Sequence, residues 1–440
     1  MFSFLDNILD SIVDCFTLNM RWSQLLRVYW YLFFIEFPRY YLLEVIMVVC
    51  YKFCYRSRRK DKQEARRILY IENPLVTILA PGKNEGKHIF RLVQSLRAQT
   101  YRNVEIIIVD DGSDDATRLI CTDLEKDGYI DRYLRLSSRG GKASAANYGA
   151  SMAHGKYIVH LDADSSLDRD ALENILIPFY YDRQIKGVGG CVKVRNGGDS
   201  LCSSMQQLEY LKTIQVGRLV TSWMGIYHII SGAFGAFEKK ALEQVGYWDI
   251  GPGLDGDNSQ MLHKPGSKLH IAEVAICMTN VPVKWYQLFK QRYRWSRSLV
   301  RFRLRKHKDI LMPTKNFSFL NFMSNLENVL YDFAFNYIWV FYIFTLLFNH
   351  TEHLWEILVI GWLIRLSFSL VAFAVILLVS ERADEEWKLV RYLPFQTLYT
   401  GYFLRLTRLI AHTSELFFFT SYRDAWNPKK TSEVAQVEHL

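Results

Sequence analysis

The chain has 440 residues, of which half are hydrophobic, 15% are aromatic and 22% are charged. This mixture argues against a purely soluble protein and against a purely membrane-embedded one, so we expect soluble and membrane blocks in one chain. The net charge is +9, and basic runs at 56–67 and 301–308 stand beside apolar segments, which is typical of the cytoplasmic side of a membrane; no recognition motif accompanies them that would favour nucleic acid as a partner.

The N-terminal block, residues 1–60, is predicted to form membrane or interfacial helices. Apolar and aromatic runs cover 28–37 and 40–55, and at least one spanning helix is expected to end near Tyr55 with its basic flank inside the cell. An earlier stretch, residues 4–16, has apolar residues at helical spacing and fits a helix that lies along the membrane interface.

The next block, residues 70–310, is predicted to be a cytoplasmic α/β domain. Amphipathic segments separate short apolar runs that end in polar residues, which favours a mostly parallel sheet with helices on both faces. Ligands bind such sheets beyond the carboxyl ends of the strands. The seven cysteines have no paired spacing, which fits a reducing compartment. The predicted strands are 75–81, 104–111, 131–137 and 156–164.

Residues 311–425 are predicted to return to interfacial and transmembrane helices. The apolar segments 329–348 and 354–379 are long enough to cross a bilayer, which takes about 20 residues. The polar "NHTEH" between them is expected to be an external turn. A third segment, 393–419, carries two arginines, so spanning, re-entering and lying at the interface all remain open. A short tail, 426–440, completes the chain.

Carboxylates follow two of the predicted strands. Asp111 ends one strand, where a carboxylate can accept hydrogen bonds from a ribose or a base; for the next two acidic residues, capping of a helix start is the better interpretation. Asp162 and Asp164 follow another strand. Two hard oxygen ligands beside a diphosphate suit Mg²⁺ or Mn²⁺, because these ions share their coordination shell with phosphate and water.

The order of the motifs is more specific than any one of them. "PGKNEG", "VDDGS", "GGKASAANYGA", "LDADSSLDRDAL", "SGAFGAF", "GYWDIGPGLDGD" and "QRYRWSR" occur in this sequence at domain-scale spacing. The chain thereby resembles the family 2 glycosyltransferases, especially the membrane-embedded processive synthases of cellulose, hyaluronan and chitin. The resemblance covers roughly 70–310 and includes a Q-x-x-R-W signature at 291–295. It implies a GT-A fold, a Rossmann-like α/β domain inserted between transmembrane helices.

The resemblance also implies a role for particular residues. Asp164 would bind the cation, Mg²⁺ or Mn²⁺, Asp255 would be the catalytic base, and Trp295 would stack on the acceptor sugar. Displacing UDP develops negative charge on the diphosphate, so a cation, a lysine and an arginine should converge there. The residues expected to bind the nucleotide are Asn84, Glu85, Asp111, Lys142, Asp162, Gln291 and Arg294.

One position departs from the family pattern. The acidic residue that usually precedes the base is Leu254 here, and the nearby Asp257 is expected to support the helix start rather than the chemistry. An inactive relative is therefore an alternative, although the intact Q-x-x-R-W signature argues against it.

The resulting functional expectation is an inverting, processive glycosyltransferase of the plasma (inner) membrane with several transmembrane helices. It would polymerise sugar from a UDP-sugar, with UDP-glucose preferred over N-acetylglucosamine and glucuronic acid donors, into a β-linked polysaccharide and pass it outward. Expected partners are the UDP-sugar, the growing polysaccharide, membrane lipids, and export or regulatory proteins. The alternatives are a non-processive transferase acting on a membrane lipid and a catalytically inactive membrane scaffold.

Overall fold

The computed structural model describes residues 22–227, 229–251, 253–312, 318–423 and 428–437. The interfacial helix predicted within 4–16 lies outside these residues. The chain divides into two compact units. We call them the helical unit, residues up to Lys52 with Glu327–Leu409, and the sheet unit, Phe53–Leu326 with Ile410–Leu440.

The sheet unit contains one eight-stranded sheet. Its strands are β1 Val76–Gly82, β2 Val104–Asp110, β3 Arg132–Arg135, β4 Tyr157–Leu161, β5 Ser166–Leu167, β6 Ile185–Val194, β7 Phe234–Glu238 and β8 Lys268–Thr279, in the order β3-β2-β1-β4-β7-β6-β8-β5. The pairs β1–β2, β2–β3, β1–β4 and β6–β8 are parallel. Strand β7 runs antiparallel to β4 and β6, and β5 runs antiparallel to β8. The mostly parallel α/β domain is confirmed, with an antiparallel strand at its centre.

The first half of this sheet is buried on both faces. Ile78, Leu79 and Ala80 of β1 are fully buried in succession, because helices cover both sides of the parallel strands. The four predicted strands match β1 to β4 within a few residues at each end. The chain passes from β1 to β3 on one side of β1 and resumes with β4 on the other side. This reversal leaves a crevice at the carboxyl ends of β1 and β4, where ligands of such sheets bind.

Helices connect the strands and continue beyond them. The α-helices are α1 Trp22–Val28, α2 Leu43–Glu72, α3 Gly86–Arg97, α4 Thr117–Lys126, α5 Lys142–Ser151, α6 Ala171–Leu176, α7 Pro178–Tyr181, α8 Leu201–Tyr210, α9 Arg218–Trp223, α10 Lys239–Gln244, α11 Leu254–His263, α12 Trp285–Val300, α13 Phe319–Asn328, α14 Phe335–Asn349, α15 Leu354–Val379, α16 Ala383–Glu386, α17 Leu393–Leu398, α18 Leu404–Phe418 and α19 Lys429–Val437. Wider π-helical turns occur at Leu32–Glu36, Pro38–Leu42, Leu211–Gly217, Arg301–Lys306, Val329–Ala334 and Tyr399–Phe403.

Two helical stretches are long and apolar enough to cross a membrane. They are Phe319–Asn349 and Thr351–Val379, with mean hydropathies of 1.4 and 2.4 in their most apolar windows. Within the described ranges no other helix meets the same measure, so the N-terminal span expected to end near Tyr55 stays a prediction. There α2 continues without a break to Glu72, because the charged residues beyond Tyr55 are good helix formers.

Candidate active site

The loops after β1 and β2 are fastened to each other by Asn84. This residue has a left-handed backbone (φ 60°), which asparagine tolerates better than most residues. Its N–H donates to Ser113 Oγ (2.8 Å), and its Oδ1 accepts from the N–H of Asp114 (3.0 Å). The side chain expected at the uridine side of the pocket therefore also sets the shape of the pocket wall.

Asp111, at the end of β2, organises the start of α5. Its Oδ1 accepts the N–H of Gly140 (2.7 Å) and its Oδ2 accepts the N–H of Gly141 (2.9 Å). Gly141 has φ 91°, which favours glycine, and the next residue, Lys142, begins the helix. A carboxylate can accept further hydrogen bonds, so the predicted contact of Asp111 with a nucleoside is compatible with this arrangement.

Three carboxylates gather where β1 and β4 end. Burial and repulsion from Asp164 and Asp162 raise the pKa of Glu85 to about 7, and burial and repulsion from Asp162 raise the pKa of Asp164 to about 6. The loops that follow β1 and β4 pack closely at Gly82. A Cβ there would lie 2.9 Å from Glu85 Cγ in the same loop and 3.2 Å from Ala163 Cβ in the loop after β4. Uncompensated negative charge of this kind is what a bound cation relieves.

The donor set at this point suits a divalent cation that is shared with a ligand. Within the described part of the chain, no group of three or more Asp, Glu, His or Cys side chains could hold a metal ion by itself. Mg²⁺ is commonly held by one or two carboxylates together with phosphate oxygens and water. Asp164 and Asp162 offer that number of hard oxygen ligands, and they fit Mg²⁺ or Mn²⁺ bound together with a diphosphate.

Lys142 links the predicted donor side of the site to the predicted base. Its Nζ forms an ion pair with Asp162 Oδ1, and the two side chains are 38% and 35% exposed, as in the wall of an open cleft. Burial acts to lower the pKa of Lys142, but attraction to Asp162 and Asp255 outweighs it and the pKa is raised. The Arg294 guanidinium acts on Lys142 in the opposite sense, which places that arginine near the same cleft.

Asp255 lies in the first turn of α11. Burial raises the pKa of its carboxyl group, against the attraction of Lys142 and the opposing effect of the Gly232 backbone. Ser259 donates to the carbonyl oxygen of Asp255 (2.7 Å) and accepts from the N–H of Ile230 (3.0 Å). A buried carboxylate with a raised pKa is a stronger base than one in water, and this suits proton removal.

Asp257 belongs to a different cluster. It is 1% exposed, forms ion pairs with Arg301 (3.5 Å) and Lys306 (2.6 Å), and is hydrogen-bonded to His307 (2.6 Å). Burial acts to raise its pKa, but the hydrogen bond from His307 and the two cationic side chains lower it to about 2. These contacts tie α11 to the segment after α12 and agree with the supporting role expected for this residue.

The Q-x-x-R-W signature lies on α12. Gln291 Oε1 is buried and has no hydrogen-bond partner within the described residues. Trp295 is 39% exposed, and the Arg292 guanidinium lies 4.5 Å from the centre of its ring system while also pairing with Glu209 (3.0 Å). One face of Trp295 is thus covered by a cation held in place. The predicted contact of Gln291 with a diphosphate stays a prediction.

Two residues close to Asp255 were not recognised from the sequence. Gly232 lies in the "SGAFGAF" motif, and a Cβ there would be 2.2 Å from Asp255 Oδ1. His160 is 2% exposed, and its Nδ1 lies 2.7 Å from the carbonyl oxygen of Gly232. The only signal in the sequence was the small-residue run that contains Gly232, and it does not indicate which glycine meets the carboxylate.

Comparison with solved structures defines the class of fold. The chain resembles a mannosyltransferase from Pyrobaculum calidifontis, solved in complex with GDP-Man and Mn²⁺, with a TM-score of 0.50 and 18% identity over 82% of this chain and 99% of that chain. The sheet unit therefore has the GT-A fold of glycosyltransferases.

Comparison of sequences identifies similar proteins. Residues 77–246 match glycosyl transferase family 2. Poly-beta-1,6-N-acetyl-D-glucosamine synthases are similar to the chain: the Staphylococcus aureus protein is 34% identical over 223 residues, and the Staphylococcus epidermidis protein is 32% identical over 222 residues. Each alignment covers 50% of this chain and 53% of the relative, so the chain spans about half the length of the curated relatives it matches.

Proposed function

We propose that the protein is an inverting, processive glycosyltransferase that extends a β-linked polysaccharide with sugar from a UDP-sugar. The observation that carries the proposal is the contact of Lys142 with Asp162 beside Asp255. A cation for the leaving diphosphate and a base for the incoming hydroxyl then lie on the two sides of one cleft, as displacement at a sugar carbon requires.

The donor is held on the side of β1 and β4. Asn84, Glu85 and Asp111 shape the nucleoside end of the pocket, and Asp162 with Lys142 orients the diphosphate. Asp164 would hold Mg²⁺ or Mn²⁺, which supplies positive charge to the diphosphate. Arg294 and Gln291 would meet the same phosphates from α12.

The transfer step needs a base for the acceptor hydroxyl. Asp255 accepts that proton while the hydroxyl oxygen attacks the anomeric carbon, and the bond from that carbon to the diphosphate oxygen breaks with its electrons remaining on UDP. Lys142 and Arg294 offset the charge that develops on the leaving group. Attack from the face opposite the leaving group inverts the anomeric configuration and yields a β linkage from an α-linked donor.

The acceptor is held by an aromatic surface. An indole covers the apolar C–H face of a sugar ring, and the exposed part of Trp295 offers such a surface. The names of the staphylococcal relatives favour N-acetylglucosamine over the glucose expected from the sequence. Their names also favour a polymer over a single-sugar lipid product. Passage of that polymer through the membrane block, with export partners, is part of the proposal.

The test uses the full chain in detergent or nanodiscs, with native membrane vesicles as a second preparation. UDP release is measured with UDP-N-acetylglucosamine, UDP-glucose and UDP-glucuronic acid, each with Mg²⁺ or Mn²⁺, and the products are sized. We expect the fastest release with UDP-N-acetylglucosamine and a long polymer as the product. Asp255→Asn is the matched control, because it keeps the shape of the side chain and cannot accept the proton. A single-sugar glycolipid would support the non-processive alternative, and no release with any donor would support the inactive scaffold.

A further inference from the structure

The carboxylate of Asp255 packs directly against the backbone of Gly232. A Cβ at Gly232 would lie 2.2 Å from Oδ1 and 2.8 Å from Cγ. Only glycine fits at this approach. Glycine is also the residue with the greatest backbone freedom, so the position of its backbone needs an external restraint.

His160 supplies such a restraint from the centre of the sheet. Its Nδ1 lies 2.7 Å from the carbonyl oxygen of Gly232. Because that carbonyl can only accept, the imidazole donates from Nδ1. The ring is 2% exposed, belongs to β4, and has the ring of Trp248 5.4 Å away, so it has little room to move.

The hydrogen bond from His160 acts on the peptide group that follows the Cα of Gly232, and this glycine lies against the carboxylate of Asp255. Other ties between this loop and α11 are at Ile230, whose N–H donates to Ser259 Oγ (3.0 Å), and at Tyr227, whose carbonyl oxygen lies 2.8 Å from His263 Nε2. Of these contacts, the bond from His160 is the one that restrains the carbonyl side of Gly232.

We propose that His160 is a positioning residue, which holds the backbone of Gly232 against the carboxylate of Asp255 and thereby fixes the direction of the catalytic base. This inference rests on the proposed function, in which Asp255 removes the proton of the acceptor.

Two substitutions separate the donor group from the bulk of the ring. His160→Leu replaces the ring with an apolar side chain of similar size and removes the hydrogen bond. His160→Asn can place an amide N–H near the position of Nδ1. We expect kcat of polymerisation to fall about tenfold in His160→Leu, the size of effect that follows from losing one buried hydrogen bond at a reacting group. The KM for the donor and the Kd for UDP should stay within about twofold, and His160→Asn should recover most of kcat.

The control histidine is His154, which is exposed and pairs with Glu105 away from Asp255. His154→Leu should leave kcat unchanged. A fall in UDP affinity that parallels the fall in kcat in both His160 variants would indicate a general packing role and would overturn the inference. If His160→Leu yields too little folded protein, His160→Asn decides alone: near-normal kcat supports the inference, and a tenfold loss contradicts it.

Asp255→Asn, alone and combined with His160→Leu, distinguishes the two proposals. Because His160 acts only through Asp255, the double variant should be no slower than Asp255→Asn, and a further tenfold loss would contradict the inference. If Asp255→Asn keeps normal turnover, the proposed base is wrong and the inference falls with it. If Asp255→Asn is inactive but His160→Leu turns over normally, the inference alone is wrong.

Discussion

Asp255 and Asp257 are two residues apart and face different partners because they lie on a helix. Residues i and i+2 of an α-helix point to different sides, so this pair is poorly placed to chelate one ion. Asp255 meets Lys142 and the backbone of Gly232, whereas Asp257 is enclosed by cationic side chains. The carboxylates with the same spacing after β4 lie in a turn and repel each other. That second pair is the better candidate for the cation.

This difference predicts separate effects on binding and turnover. Asp164→Ala should weaken metal-dependent binding of UDP, because it removes a ligand of the ion that offsets the diphosphate charge. Asp255→Asn should leave UDP binding intact while transfer falls by roughly two or more orders of magnitude, the usual range for a lost general base. Calorimetry of UDP with Mg²⁺ or Mn²⁺, together with turnover, measures both quantities. Asp123→Ala, at an exposed position on α4, is the control. Loss of UDP binding in Asp255→Asn with normal binding in Asp164→Ala would reverse the assignment.

At the scale of single residues, the sequence indicated candidate site residues where a carboxylate follows the end of a predicted strand. Asp162 was predicted to lie in the donor site because an apolar run stops just before it, and the structure places it against Lys142. Gly232 and His160 could not be predicted in this way. His160 contacts the backbone of Gly232, 72 positions further along the chain, and Gly232 in turn contacts Asp255. No periodicity in the sequence predicts that this loop packs against α11.

Helix α11 presents the proposed base because its other side is held by a buried charge cluster. Asp257 accepts contacts from Arg301, Lys306 and His307, and Lys306 also pairs with Asp249. Breaking a buried ion pair by removing one partner leaves uncompensated charge and costs about 3–5 kcal/mol. The cluster therefore fixes the position of α11 relative to the segment that follows α12.

The pKa of Asp257 gives this cluster a pH signature. Its folded-state pKa of about 2 lies below the value of about 4 for an unfolded aspartate. The corresponding stability, about 2 kcal/mol, is fully present above pH 4 and is lost as the pH falls through 4 to 2. In thermal unfolding of the full chain, Asp257→Asn should lower Tm at pH 7, and its difference from the parent should shrink towards pH 2. The same substitution at exposed Asp199 should change little at either pH. A Tm difference that does not depend on pH would contradict the assignment.

At the scale of elements, β1 to β4 could be predicted and β6 could not. The early strands are continuous apolar runs that end in polar residues. Strand β6 carries three glycines in ten residues, a composition that resembles a turn or a bulge. The structure supplies the reason: a Cβ on Gly190 would lie 2.0 Å from the ring of Phe234 on β7. The glycine makes room for an aromatic residue from a distant strand, and the sequence of β6 alone does not contain that information.

At the scale of the whole molecule, the positions of the sheet and of two long apolar helices could be predicted from composition. The GT-A sheet lies within the predicted range 70–310, and the two long apolar helices cover the segments predicted at 329–348 and 354–379. The structure of the last residues, 426–440, was predicted less well. Helix α19 begins at Lys429 and buries Ser432 and Ala435, although only a short tail was expected there. Its sequence is short and mostly polar, so its hydrophobic periodicity is too weak to predict a packed helix.

The proposed donor predicts the membrane topology. UDP-sugars are cytosolic, so under this proposal the sheet unit, which contains both basic stretches, should face the cytoplasm, and the positive charge of 56–67 and 301–308 favours the same side. If Phe319–Asn349 and Thr351–Val379 both cross the membrane, the turn between them lies outside. In a chain whose native cysteines have been replaced and which still releases UDP, an impermeant thiol reagent added to intact cells should label Thr351→Cys and miss Arg59→Cys. Permeabilised cells are the control, in which both positions should react because both are exposed. Labelling of Arg59→Cys in intact cells would place the basic flank outside and overturn the orientation, whereas equal protection of both positions would argue that the two apolar helices do not span.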